Sequence, residues 1–254
     1  MSIGFFLIGF GCPNLGIKLN ILAHNLQVLK SQRLKESVSV ADLYIYCYTP
    51  REAKEALAQP PMASLLADTM TNVFIVEKKG IVGEFIHHEV SKEYAKYDYV
   101  VLFLDDIQLP LNFDMNRMLS VYHREQLDIL ALPLTPDSPY NYKFMLQRED
   151  LRREGYTYRQ TNFVELFFYV LSAANFGRKY LPFITKDTKW CWGIDLALYN
   201  YGLKMGLMEC FAVKHYFKGV SYNTNLPDPL HELNVQTAHL QKIKRKINIK
   251  REKY

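Results

Sequence analysis

The sequence predicts an α/β fold in which helices flank a mostly parallel central sheet, all within a single compact domain. Apolar runs typical of buried strands alternate with stretches of helical spacing through about residue 135. The run Tyr99–Leu104 is apolar along its whole length, as expected of a parallel strand that is covered on both faces. The 254 residues are enough to bury a sizeable core, and the 49% hydrophobic and 22% charged content is typical of a globular protein.

Individual elements follow from hydrophobic periodicity and from the positions of proline and glycine. We expect strands at residues 3–10, 40–48, 72–77, 99–104, 127–134 and 212–216. We expect helices at residues 14–34, 84–94, 116–127 and 173–184, and one that begins near Gly193. Residues 50–66 are partly helical but interrupted by Pro60 and Pro61, and residues 161–171 fit either a strand or the start of a buried helix. The first half is Rossmann-like, but no G-x-G-x-x-G follows the first strand, so a dinucleotide cofactor is not supported.

The net charge of +5 is concentrated near the C-terminus, where residues 239–254 form a basic tail. Such a tail is able to contact an anionic membrane, a nucleic acid or an acidic glycan, and the same composition is typical of a solvated helix or a frayed terminus. The rest of the chain shows no interleaving of aromatic and basic residues that would mark a nucleic-acid groove. The sequence therefore predicts no nucleic-acid partner, and leaves membrane contact through the tail open.

Cysteine usage and the N-terminal run both indicate a cytoplasmic protein. The four cysteines lie far apart without a CxxC pair, which argues against a zinc pattern or a dense disulfide framework and favours a reducing compartment. The apolar N-terminal run is too short to span a bilayer, and it lacks the basic lead-in and cleavage site of a secretion signal. No other segment has the pattern of a transmembrane helix, so we expect a cytoplasmic location.

Two adjacent carboxylates, Asp105 and Asp106, directly follow the strand Tyr99–Leu104. In open α/β sheets, ligands bind beyond the carboxyl ends of the strands, which is where these side chains are expected. Neighbouring carboxylates repel each other, and a hard cation with oxygen ligands relieves that repulsion. The pair predicts a divalent-metal site. The alternative is a polar turn without a ligand, because Asp is common in turns.

A glycine-containing loop with Lys79, Gly80 and Gly83 precedes the helix expected at residues 84–94. Glycines ahead of a helix leave backbone N–H groups free and allow a phosphate to approach closely. An ordinary strand-to-helix turn has the same composition. The loop is therefore a candidate phosphate-binding segment with a structural alternative.

Two later segments carry further candidate side chains. Trp190 and Trp192, the two tryptophans of the chain, bracket a turn that leads to Asp195 at a helix start. Asp195 is either a first-turn residue favoured by the helix dipole or a general base beside a sugar stacked on tryptophan. His215 closes the last expected strand, where it either serves the structure or completes a cation site begun by carboxylates.

In their order and spacing, these segments resemble the GT-A class of nucleotide-sugar glycosyltransferases. The likeness extends to a family of uncharacterised glycosyltransferase-like proteins with a large plant branch, and to enzymes of large algal viruses that build capsid glycans. The shared features lie roughly within residues 1 to 220; they are the loop at residues 79–85, Asp105-Asp106-Ile107, residues 161–165 and residues 192–195. Leu104 departs from the pattern, because the family usually has an acidic residue there, and this places metal ligation on Asp106.

The resemblance implies a GT-A-like fold and metal-dependent transfer of a hexose or pentose from a nucleotide-sugar donor, UDP-linked rather than GDP-linked, to a glycan hydroxyl. Residues 1–135 would form the donor half and residues 136–238 the acceptor half, in the host cytoplasm if the chain is viral. Mn²⁺ or Mg²⁺ would offset the charge on the departing diphosphate in an inverting reaction. The implied residues are the metal ligands Asp106 and His215, the donor-binding residues Gly9, Lys79, Gly80, Gly83, Asp105 and Lys218, the catalytic base Asp195, and the acceptor-binding residues Asn162, Glu165, Trp190 and Trp192.

Three other classes remain open from the residues alone. A nucleotide- or glycan-binding protein that has lost catalysis is compatible with Leu104 and would bind the donor without turnover. A nucleic-acid-associated protein would act through the basic tail and bind with a steep salt dependence. A hydrolase would use Asp105 and Asp106 as paired carboxylates, but adjacent residues on a strand point to opposite faces, which suits such a pair poorly.

Overall fold

The structure, a computed structural model, describes residues 1–11, 14–32, 34, 38–77, 80–191, 194–216, 234 and 238. At residues 196, 199 and 200 it describes the backbone alone. Four features singled out by the sequence lie outside the described residues: Lys79, Trp192, Lys218 and the basic tail.

The described residues build one large sheet and one small sheet. The strands are β1 (Ser2–Phe10), β2 (Val40–Cys47), β3 (Asn72–Val76), β4 (Tyr99–Leu104), β5 (Ile107–Gln108), β6 (Ile129–Ala131), β7 (Arg159–Thr161), β8 (Phe168–Ser172), β9 (Met205–Leu207) and β10 (Lys214–His215). Eight of them form one sheet in the order β3-β2-β1-β4-β8-β6-β9-β7, and β5 pairs with β10. Only β8 and β7 run against their neighbours in the large sheet. The predicted mostly parallel sheet is therefore confirmed.

Helices flank the sheet and join its strands. They are α1 (Leu15–Ser31), α2 (Pro50–Leu57), α3 (Pro60–Thr69), α4 (Val82–Phe85, continued by a π-helix at Ile86–Val90, by Ser91–Glu93 and by a 3₁₀ turn at Tyr94–Lys96), α5 (Met115–Arg124), a 3₁₀ turn at Lys143–Met145, α6 (Glu149–Arg153), α7 (Ala173–Asn175, continued by Phe176–Tyr180 and Leu181–Phe183) and α8 (Ile194–Asn200). The Asp114 carboxylate caps α5 by accepting from the N–H of Arg117. Among the described residues, none of these helices combines the length and apolarity needed to cross a membrane.

The structure differs from the predicted elements at several places. Pro60 and Pro61 do not interrupt a helix; they begin α3, because the first turn of a helix needs no N–H from these positions. Residues 161–171, which fit a strand or a helix, contain the start of strand β8 at Phe168. The strand expected at residues 212–216 is shorter and spans Lys214–His215. The helix expected at residues 84–94 begins two residues earlier, at Val82.

Helix α1 fixes the turn that follows β4. Its buried face carries Leu22 and Leu29 into the core, and burying a leucine side chain stabilises the fold by about 1.5–3 kcal/mol. On the same face, the side-chain amide of Asn25 donates to the carbonyl oxygen of Ile107 (2.7 Å) and accepts from the N–H of Leu109 (2.8 Å). The backbone beyond β4 is thus held by two buried hydrogen bonds, which fixes the turn between β4 and β5 at the carboxyl edge of the sheet.

Candidate active site

Asp105 lies in the turn between β4 and β5 and is paired with a lysine of α1. Lys18 Nζ is 2.6 Å from Asp105 Oδ2, and both side chains are almost fully buried. The same ammonium group approaches the carbonyl oxygen of Gly9 at 3.5 Å. Burial raises the pKa of Asp105, and Lys18 offsets part of that rise. The lysine thus fixes one carboxylate of the predicted pair beside the end of β1.

The helical periodicity of α1 predicts that Lys18 is buried, although a search for acidic motifs does not find this residue. Lys18 stands four residues before Leu22 and seven before Asn25, so one face of α1 carries all three side chains. A lysine on a face that otherwise packs into the core needs a partner, because an unpaired buried charge is costly. Asp105 is that partner.

His215 faces Asp106 across the small sheet. Because Ile107 pairs with His215 between β5 and β10, the side chains are adjacent, and His215 Nε2 lies 3.0 Å from Asp106 Oδ2. The other ring nitrogen, Nδ1, is 3.0 Å from the carbonyl oxygen of Pro139, which only accepts, so Nδ1 carries a hydrogen. Burial lowers the pKa of His215, but Asp106 and Pro139 outweigh it and the net shift is upward. The structure brings the two predicted metal ligands together.

The Asp106–His215 pair has features that fit a divalent cation. Asp106 Oδ1 is buried and accepts no hydrogen bond from the described residues, which is costly for a carboxylate oxygen unless a ligand covers it. A neutral His215 with its hydrogen on Nδ1 offers a lone pair at Nε2, and oxygen and nitrogen donors suit Mn²⁺. In the described part of the chain, no three His, Cys, Asp or Glu side chains form a metal-binding group. Oxygens of the substrate and water would complete the coordination.

Glu165 and Asp195 form an acidic region next to His215. Glu165 is buried; its Oε1 accepts from Asn141 Nδ2 (3.0 Å), whereas Oε2 is buried without a partner among the described residues. Burial raises the pKa of Glu165, while Asn141 and His215 lower it. Burial raises the pKa of Asp195 to about 8, and the charge of Glu165 adds to the rise. Asp195 nevertheless keeps part of its surface exposed, so it combines access with a pKa near neutrality, as a general base requires.

The glycine loop and the tryptophan segment lie against each other. The N–H of Gly83 donates to the carbonyl oxygen of Lys189 (2.6 Å), and Lys189 Nζ lies 2.5 Å from Glu84 Oε1. A Cβ on Gly83 would stand 2.4 Å from the carbonyl oxygen of Thr188, so this approach requires glycine. The N–H of Gly83 is therefore not open to a phosphate. Gly83 instead holds the segment that leads to Asp195.

Other predicted residues surround this edge of the sheet. Gly9 has a φ of +95°, and a Cβ there would stand 3.0 Å from the ring of Tyr48. Gly80 is half-buried and has room for a Cβ at ordinary contact distances. Asn162 is half-buried. Trp190 is buried, so its ring does not provide an open surface on which a sugar could stack.

Comparison by sequence assigns no relative to this chain: no family model and no curated protein matches it. Solved structures match it by fold. A crystal structure of GalNAc-T7 with UDP, GalNAc and Mn²⁺ aligns with 89% of this chain at a TM-score of 0.54 and 11% identity. A crystal structure of S. aureus TarS in complex with UDP aligns with 94% of this chain at a TM-score of 0.56 and 8% identity.

Both structures are GT-A-type glycosyltransferases, and the chain has a GT-A-like fold. Identities this low establish the fold and not the activity. The chain spans 45% of the GalNAc-T7 chain and 65% of the TarS chain. The fold that the sequence resemblance implies is therefore confirmed.

Proposed function

We propose that the chain is a metal-dependent glycosyltransferase. It moves a hexose or a pentose from a nucleoside-diphosphate sugar, with UDP favoured over GDP, to a hydroxyl group of a glycan. The observation that carries the proposal is the Asp106–His215 pair, with its uncovered carboxylate oxygen, at the carboxyl edge of a GT-A-like sheet. The complexes of GalNAc-T7 with UDP and Mn²⁺ and of TarS with UDP support the choice of nucleotide and cation.

Side chains after β4 are assigned to the donor. Asp106 and His215 would hold Mn²⁺ or Mg²⁺, and the bound cation supplies charge neutralisation at the departing diphosphate. The Pro139 carbonyl keeps the His215 ring in place through Nδ1. Asp105, fixed by Lys18, would accept hydrogen bonds from the ribose hydroxyls.

Two glycines and two lysines are assigned to binding the diphosphate of the donor. Gly9, at the end of β1, and Gly80, before α4, present backbone that a phosphate is able to approach closely. Lys79 and Lys218, which lie outside the described residues, would contact the phosphate oxygens as point charges. Gly83 would act only through its packing.

The transfer step is assigned to Asp195. As the acceptor oxygen bonds to the anomeric carbon, its proton passes to the Asp195 carboxylate, and the bond from that carbon to the diphosphate oxygen breaks. Attack from the face opposite the leaving group inverts the configuration. Glu165 raises the pKa of Asp195 and so strengthens it as a base. Asn162 and Trp192, the latter outside the described residues, would contact the acceptor, and the buried Trp190 would act only through its packing.

A second candidate function is nucleotide or glycan binding without catalysis. Leu104 favours it, because the family that this chain resembles usually has an acidic residue at that position. Such a protein would bind the nucleotide with its cation and show no turnover of any nucleotide sugar. Turnover of a bound donor therefore separates the two functions.

Calorimetric titration of UDP and GDP, with and without Mn²⁺, tests the proposed donor site. Wild type should bind UDP more tightly with Mn²⁺, and Asp106→Asn should lose that gain. Asp98→Asn is the matched control, because Asp98 carries an exposed carboxylate at the opposite end of β4. Absence of nucleotide binding in wild type, or an undiminished Mn²⁺ effect in Asp106→Asn, would overturn the proposal.

A further inference from the structure

An aromatic platform, formed by Tyr142, Phe144 and Phe163, stands beside the acidic region. The rings of Tyr142 and Phe144 stack with their centroids 5.3 Å apart, and each meets Phe163 edge-on, at 5.0 Å and 5.1 Å. Phe163 is 7% exposed, whereas Tyr142 and Phe144 keep 40% and 42% of their surface exposed. The platform is therefore a pair of solvent-accessible rings supported on a buried one.

The loop that carries the platform also touches the candidate active site. Its backbone orients His215, and its Asn141 donates to Glu165. Tyr142 is the next residue. Burial, followed by the charges of Glu165 and Asp195, raises the pKa of the Tyr142 phenol. The platform thus lies within electrostatic range of the proposed base.

Exposed rings in this position suit the apolar face of a sugar. A pyranose with equatorial hydroxyls presents axial C–H groups on each face, and these pack on an aromatic ring while the hydroxyls reach polar groups at its rim. Other large apolar side chains, such as Tyr156 and Tyr201, are exposed as well. The position of Tyr142 and Phe144 beside Glu165, rather than their exposure alone, distinguishes them.

We propose that the aromatic platform is the acceptor subsite and binds a pyranose ring of the glycan by its C–H face. This inference rests on the proposed glycosyltransferase function and extends it to Tyr142 and Phe144, which the sequence did not single out. Because the rings of Tyr142 and Phe144 stack on each other, the acceptor ring packs on an outer face of this stack, and Asp195 takes the proton of the hydroxyl that attacks. Phe163 and the Asn141–Glu165 hydrogen bond position the platform.

Saturation-transfer NMR with methyl β-D-glucopyranoside, methyl β-D-galactopyranoside and methyl β-D-xylopyranoside, in the presence of UDP and Mg²⁺, tests the proposal. At least one glycoside should receive saturation on the axial C–H groups of one ring face. The double variant Tyr142→Ala/Phe144→Ala should weaken that binding about tenfold. Tyr142→Phe should retain it, because the ring remains. Tyr156→Ala is the matched control, since Tyr156 is 55% exposed and outside the platform.

Failure of the acceptor-subsite proposal is distinguishable from failure of the proposed transferase function, because calorimetry measures UDP binding independently of glycoside binding. Loss of glycoside binding in the double variant with UDP affinity unchanged supports the platform. Equal glycoside binding in the double variant and wild type overturns it and leaves the donor site intact, as does a wild type that binds none of the glycosides. A platform that binds a protein partner in place of sugars would give that last result. Absence of UDP binding in wild type would contradict the proposed glycosyltransferase function.

Discussion

Buried carboxylates lie at both ends of the strands of the large sheet, and the two sites differ in how many of the carboxylate oxygens accept hydrogen bonds. At the amino edge, Asp42 accepts from Asn72 Nδ2 at 2.9 Å through Oδ1 and from the Tyr97 hydroxyl at 2.7 Å through Oδ2. At the carboxyl edge, Asp106 Oδ1 and Glu165 Oε2 are buried and accept nothing from the described residues. The first cluster completes its own hydrogen bonds. The second is left incomplete by the fold.

This difference agrees with the proposal that the first cluster stabilises the fold and the second binds a ligand. A satisfied buried network contributes to stability, whereas an unsatisfied buried oxygen lowers it, and native proteins tolerate the latter at functional sites. Both clusters contain a buried carboxylate oxygen. Their hydrogen bonding, which only the structure shows, distinguishes them.

The largest expected effect belongs to Asp195→Asn. Removing the proposed base should lower the transfer rate by about 10²–10⁴-fold, the usual contribution of general-base catalysis. UDP affinity in the presence of Mn²⁺ should not change, because Asp195 is assigned to the acceptor hydroxyl. Steady-state transfer assays and calorimetry on the same variant check both parts. Full transfer activity in Asp195→Asn would remove this role.

A stability comparison of Asp42→Ala with Asp106→Ala tests the contrast itself. Asp42→Ala leaves the buried Tyr97 hydroxyl without the Asp42 acceptor, which costs about 1–3 kcal/mol. The Asn72 amide is exposed and is able to bond to water instead. Asp106→Ala removes Oδ1, which lacks a partner among the described residues, together with Oδ2, which faces His215. Because His215 is able to become neutral, the loss should stay within about 1 kcal/mol. Urea denaturation measures both free energies of unfolding. A larger loss for Asp106→Ala than for Asp42→Ala would contradict the account.

The raised pKa of Asp195 predicts a pH dependence of the transfer rate. Burial raises this pKa to about 8, and a base acts only when deprotonated. With donor and Mn²⁺ saturating, the rate should rise about tenfold per pH unit below pH 8 and level off above it. Residual transfer by Asp195→Asn should lack this rise. A wild-type rate that is flat between pH 6 and pH 8 would show that another group accepts the proton.

The smallest expected effects come from the glycine loop, where two neighbouring positions form a matched pair. Gly83→Ala would place a Cβ 2.4 Å from the Thr188 carbonyl oxygen, and the backbone shift should cost about 1–3 kcal/mol. Gly80→Ala meets its nearest atoms at 3.4 Å and should change stability little. Thermal unfolding of both variants checks this. Equal losses would mean that the approach of α4 to residues 188–190 does not matter.

The sequence predicts the parallel half of the sheet well, because each of its strands is a mostly apolar run. The position of Asp105 and Asp106 at a strand end follows from the same run. β8 is harder to predict, because the strongly apolar residues 161–171 fit a strand and the start of a buried helix alike. Local pattern does not reveal that β8 inserts antiparallel between β4 and β6, since this depends on long-range pairing.

Much of the site depends on contacts between residues far apart in the chain, which spacing does not show. The pairing of Asp106 with His215 results from β5 and β10. β5 is two residues long and too short to be recognised by periodicity, and the strand predicted at residues 212–216 does not show which strand it pairs with. The position of Gly83 follows from a carbonyl group of the segment before Trp190. Lys18 is the exception, because a lysine on the buried face of α1 is visible in the sequence.

The most direct test of the Asp106–His215 site is pulsed electron paramagnetic resonance of Mn²⁺ bound together with UDP. A histidine ligand gives the Mn²⁺ spectrum a nitrogen hyperfine coupling. The account predicts this coupling in wild type, its loss in His215→Gln, and its persistence in His123→Gln, since His123 is an exposed histidine of α5 that contacts Tyr99. A wild-type Mn²⁺–UDP complex without nitrogen coupling, or with a coupling that survives in His215→Gln, would contradict the central claim.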